Sequence, residues 1–153
     1  MGSEMCIRDR AELKRFLSVL FTAQISSDKP AELMRLAMTR ARFAEDIARL
    51  AGFPEVSKAF LTGMMSLMDA ILNEPMSSVM SKLPLSKDIK DALIDGIGPI
   101  AQFLQLIKFY EQAAWDDANA LIHSLKLDSK SVPDAYHTAV QWANEQMKAL
   151  GDN

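Results

Sequence analysis

Apolar residues recur along the chain at intervals of three and four. Glycine and proline fall at boundaries, and no stretch alternates with period two, so the pattern is helical almost throughout. Residues 11–26 read as a first amphipathic helix. Ser26-Ser27-Asp28-Lys29-Pro30 then makes a loop and a start signal, with Asp28 as cap and Pro30 in the first turn. The second helix covers residues 30–51, and Gly52 ends it. A third, over residues 55–72, is apolar around most of its circumference (Phe60, Leu61, Met64, Met65, Leu67, Met68), which marks it as a central buried helix. Its polar residues Lys58, Thr62, Ser66, Asp69 and Asn73 fall on one narrow strip. Pro75 opens a short helix reaching Lys82, Ser86 caps one ending near Asp95, and Gly96-Ile97-Gly98-Pro99 breaks the chain again. Helices over residues 100–114, 116–123 and 131–150 complete the pattern. Short loops between modest helices predict one compact all-α domain.

The first ten residues change the inventory. Met1-Gly2-Ser3-Glu4-Met5-Cys6-Ile7-Arg8-Asp9-Arg10 resembles the translation of a transposase adapter used in preparing sequencing libraries, so this stretch is expected to be a non-native leader. Genuine sequence is then expected from about Ala11, with more of the native chain upstream. Cys6 is the sole cysteine, and without it disulfides and thiolate zinc sites drop out. The leader holds two basic and two acidic residues, so the net charge of −3 is unchanged by its removal. A mildly acidic chain argues against general binding to a phosphate backbone. No unbroken apolar run reaches the roughly 18 residues of a membrane span, so a cytoplasmic domain with neither nucleic acid nor membrane as partner is expected.

Candidate chemistry is sparse. The histidines, His123 and His137, fall on different predicted helices without a ligand partner at i+3 or i+4, which favours a structural role over metal ligation. Asp116-Asp117 after Trp115 suggests a carboxylate pair, but adjacent residues diverge on a helix and acidic residues suit a first turn. Met64, Met65, Met68, Met76 and Met80 read as core packing, with a peptide groove the minority reading. On the second helix Arg35, Arg42 and Arg49 share a face with Glu45 and Asp46. Arg42–Asp46 and Glu45–Arg49 form i,i+4 pairs there, as expected of a solvated salt-bridge face. Leu33, Leu36, Ala37, Ala44, Ile47 and Ala48 form the opposite stripe, and Arg40 falls in the middle of it. A guanidinium there must snorkel or meet a carboxylate, because an unpaired buried charge costs several kcal/mol. Asp69 is the expected partner, and a structural ion pair is favoured over an anion contact.

The segments over residues 33–52 and 59–72 resemble the HDOD domain, in the branch at the C-terminus of bacterial EAL–HDOD signalling proteins. The likeness continues through Leu83-Pro84-Leu85-Ser86, residues 89–93, Gly98-Pro99, Phe109-Tyr110-Glu111 and Trp115. It ends with Ala135-Tyr136 and Gln141-Trp142-Ala143. HDOD domains share the fold of HD-type metal phosphohydrolases, which ligate metal through a histidine on one helix, a His-Asp doublet on a later one and a further aspartate. Thr39-Arg40 stands where the first histidine would be. Gly63-Met64-Met65-Ser66-Leu67 stands at the doublet, with Ser66 and Leu67 in its place. The resemblance therefore implies no hydrolase chemistry, metal or cofactor in this part of the chain.

It further implies that residues 11–150 are a partial HDOD domain, truncated at its start, whose parent carries an upstream EAL domain of the kind that hydrolyses cyclic-di-GMP. The expected function is a non-catalytic signalling and interaction module. It would contact that EAL domain or another signalling protein through helix surfaces, and would be prone to self-association where apolar surface is uncovered. Two other readings stand beside it. One is a degenerate phosphohydrolase in which His123, His137 and Asp69 converge; the other is a small-molecule sensor in which Arg40 reads an anion.

Overall fold

The computed structural model describes residues 31–151, and the helix expected over residues 11–26, with the Asp28 cap and Pro30, lies outside that range. Eight helices and no strand occur among the described residues. In chain order they are α1 (Ala31–Leu50), α2 (Val56–Met65), α3 (Met68–Leu72), α4 (Met76–Ser81), α5 (Lys87–Ile94), α6 (Pro99–Glu111), α7 (Trp115–Ser124) and α8 (Ser131–Gly151). The all-α class and most of the expected boundaries are those observed. Gly52 follows α1 with φ +76°, and the N–H of Phe53 closes the helix end on Ala48 O at 2.9 Å, a left-handed stop that glycine adopts without steric cost.

The helix expected over residues 55–72 is two helices. α2 ends at Met65 and α3 starts at Met68, with Ser66 and Leu67 between them. Nor is it the central element. That place belongs to α1, in which Met34, Ala37, Met38, Ala41, Phe43, Ala44, Ile47 and Ala48 are all buried. One end of α1 packs into a methionine-rich cluster with Phe60, Met64, Met65, Met68, Met80 and Met147. Its other end packs into a second cluster with Phe103, Leu106, Ile107, Ile122, Val132 and Ala139. The methionines thus serve as core, where an unbranched thioether fills irregular gaps.

α2 crosses α1 at Gly63, where the two backbones touch. A Cβ added at Gly63 would lie 2.6 Å from Arg40 O and 2.7 Å from Ala41 Cα. Only glycine permits so close a crossing, and it brings the end of α2 directly over Arg40.

The stretch Lys87–Glu111 is apolar enough to cross a membrane by length and composition. It bends instead at Gly96 and Gly98, with φ of +67° and +97°. Pro99 then occupies the first turn of α6, where its missing N–H is harmless. Ile89 and Ala92 of α5 and Ile100, Phe103, Leu104, Leu106 and Ile107 of α6 are buried in the helical core.

Candidate functional site

Three elements meet at Arg40: the middle of α1, the joint between α2 and α3, and the last turn of α6. Arg40 is only 8% exposed, because the apolar stripe of α1 carries it inward. Its guanidinium donates from Nε to Glu111 Oε2 at 2.9 Å, from Nη2 to Glu111 Oε1 at 2.7 Å and from Nη1 to Ser66 Oγ at 3.1 Å. The planar fork of arginine matches a carboxylate in this two-bond geometry, which lysine cannot reproduce. Ser66 Oγ in turn donates to Gly63 O at 2.7 Å.

The expected partner, Asp69, is not the one found. Glu111 takes that place, and Asp69 instead accepts the N–H of Ala70 at 2.9 Å. Asp69 is the second residue of α3, in the first turn, where a carboxylate is used locally on unsatisfied N–H groups. It still contributes to the charge balance, since Lys108 feels it together with Arg40 and Glu111. Burial, aided by repulsion from Arg40, holds the Lys108 amine below its ordinary pKa of 10.5, against the pull of Glu111 and Asp69.

Beside the ion pair lies a ring of aromatic contacts. Tyr110 packs against Phe43 at 5.9 Å, Tyr136 at 5.2 Å and Trp115 at 5.1 Å between centroids. Burial raises the Tyr110 hydroxyl above its ordinary pKa. Trp115 is exposed, with its ring edge-on to Tyr110. Asp116 and Asp117 stand in the first turn of α7, where the helix dipole accommodates them.

The remaining expectations divide. Arg42 pairs with Asp46 at 3.3 Å, as expected, and also lies 5.7 Å over the ring of Trp142. Arg49 bonds Asp46 at 3.1 Å. Glu45 is 2% exposed, so it does not belong to the solvated face. The polar strip of the third helix also points inward in part. Thr62 is fully buried, with its hydroxyl on Lys58 O at 2.7 Å, and Ser66 faces Arg40.

His123 and His137 are exposed on α7 and α8. No group of three His, Cys, Asp or Glu able to hold a metal occurs among the described residues, so His123, His137 and Asp69 are not brought together. A cavity of about 220 Å³ lies between Phe53, Glu55, Asp88, Asp91 and residues 97–100, and Arg40 does not line it.

The chain is similar to two curated bacterial proteins. It is 33% identical over 135 residues to the cyclic di-GMP phosphodiesterase CdgJ of Vibrio cholerae, covering 88% of this chain and 31% of that protein. It is 28% identical over 141 residues to the uncharacterized protein YuxH of Bacillus subtilis, covering 90% of this chain and 34% of that one. The chain thus spans about a third of the length of these relatives. No family model matches the chain, and no solved structure is a significant match.

Proposed function

We propose that this domain is a non-catalytic HDOD module of a bacterial cyclic-di-GMP signalling protein, acting through contacts of its helix surfaces with an EAL domain of the same parent chain or with another signalling protein. One observation carries the reading. Arg40 and Ser66, the residues at the positions where HD-type hydrolases hold a histidine and the first residue of the doublet, lie 3.1 Å apart. That residues 26 positions apart in sequence meet here supports the resemblance, and the Arg40 guanidinium at this point is bound to the Glu111 carboxylate. A fixed guanidinium there repels a divalent cation and supplies no Lewis acid or activated water. The similarity to CdgJ supports the link to cyclic-di-GMP.

The sensor reading draws no support from Arg40. Its Nε, Nη1 and Nη2 are all engaged by Glu111 and Ser66.

Incubation of the purified chain with cyclic-di-GMP and with nucleotide phosphoesters, in Mg²⁺ or Mn²⁺, tests the proposal. No turnover is the expected outcome. Metal-dependent turnover that disappears in Asp69→Asn would overturn it.

A further inference from the structure

Nothing in the residues 65–68, Met65-Ser66-Leu67-Met68, breaks a helix by itself: no proline or glycine is present, and their periodicity continues that of α2. Yet the backbone ladder is interrupted there. The N–H of Ser66 tightens onto Gly63 O at 3.3 Å, and regular bonding resumes at Ile71, whose N–H donates to Leu67 O at 2.9 Å. Leu67 sits at φ −115°, ψ 11° between the two helices.

The side chains at the interruption explain it. A serine hydroxyl has one proton and two lone pairs. Arg40 Nη1 donates to Ser66 Oγ, and the serine proton goes to Gly63 O. A hydroxyl bonded back to a carbonyl of the preceding turn competes with the helix ladder and bends the helix. Arg40 is in turn held by both oxygens of Glu111, the last residue of α6.

We propose that the α2–α3 joint is a hinge whose bent state is held by Arg40 through the Ser66 hydroxyl, and which closes into one continuous helix when that hold is released. The Glu111 carboxylate is the far end of the latch. Displacement of the end of α6 by a bound partner draws Glu111 from Arg40, frees Ser66 and straightens the joint. A contact at one end of the molecule is thereby converted into a rotation of α3 and of α4 beyond it.

Amide hydrogen exchange on the full chain reads the hinge directly, because the N–H groups of Leu67 and Met68 lie within the interrupted ladder. Ser66→Ala is expected to slow exchange at these two amides by tenfold or more, as the helix closes through them. Ser66→Thr, which keeps a hydroxyl, is expected to restore the wild-type rates, and Glu111→Gln to slow them in the same sense as Ser66→Ala. Unchanged or faster exchange at Leu67 and Met68 in Ser66→Ala overturns the proposal. So does an equal response to Ser66→Ala and Ser66→Thr, since the hydroxyl would then play no part.

Discussion

Arginine carries five N–H donors and no acceptor, so burying Arg40 beside the apolar residues of α1 demands acceptors on its other side. Glu111 supplies two and Ser66 a third. With side chains only 10% and 18% exposed, the Arg40–Glu111 pair behaves as a largely desolvated unit. Losing one partner of such a pair strands the other charge, at a cost of about 3–5 kcal/mol, whereas replacing both by apolar residues is close to neutral. Arg40→Met is therefore expected to destabilise the domain by about 3 kcal/mol. The double variant Arg40→Met/Glu111→Leu should regain most of that loss in urea denaturation. Simple additivity of the two single substitutions would mean that the pair is not coupled.

That a buried partner was needed could be read from the chain, because Arg40 interrupts an apolar stripe. Which carboxylate it met could not. Asp69 is the partner expected from the sequence, but its position in the first turn of α3 turns it toward the N–H of Ala70. Glu111 is 71 residues from Arg40, and its one sequence signal was membership of the Phe109-Tyr110-Glu111 segment of the family resemblance.

At the scale of elements, helix ends carry more of the design than helix middles. α1, α3, α6 and α7 each stop on a left-handed residue: Gly52, Asn73, Ala113 and Lys126, with φ between +56° and +76°. At all four ends the following N–H reaches back into the last turn: Phe53 to Ala48 O, Glu74 to Asp69 O, Ala114 to Phe109 O and Leu127 to Ile122 O. This closure satisfies carbonyls that the helix leaves free. Glycine and asparagine accept the left-handed conformation readily, but alanine has a Cβ in the way and no polar side chain to compensate. Ala113→Gly is accordingly expected to stabilise the domain by roughly 0.5–1 kcal/mol, the relief of strain less the added freedom of the unfolded chain. A fall in the thermal midpoint would show that the α6–α7 turn tolerates Ala113 without strain. The periodicity of the chain predicted these boundaries where glycine or proline marked them. It missed the α2–α3 break because the cause is a tertiary hydrogen bond rather than a breaker residue.

For the molecule as a whole, the charges inside the α1–α3–α6 junction link stability to pH. Burial and the Arg40 charge lower the pKa of Lys108 from its ordinary 10.5. Between its folded value and 10.5 the unfolded chain binds the proton that the folded chain releases, so stability gains from this residue as pH rises through that window. Below the window the protonated amine is a cation beside a cation. Lys58 and Lys87 run the other way: hydrogen bonds to Glu55 and Asp88, and to Asp91, raise their values, so their contributions are lost only as pH rises beyond 10.5. Comparison with Lys108→Met isolates the junction. The unfolding free energy of the wild type relative to Lys108→Met is expected to climb from neutral pH toward 10.5 in urea titrations. A flat difference would indicate that solvent screens the amine.

What the chain alone determined follows from local physics. Three-and-four spacing of apolar residues makes helices, glycine and proline end them, and Arg40 within an apolar stripe must find a partner. Tertiary structure alone decided that α1 rather than the 55–72 segment is the central element, that Glu45 and Thr62 turn inward, and that Glu111 rather than Asp69 meets Arg40. The crossing that brings the end of α2 over Arg40 is set by the contact of Gly63 with the backbone of Arg40 and Ala41. A helical period assigns a side chain to a face, but only packing decides which neighbour that face will meet.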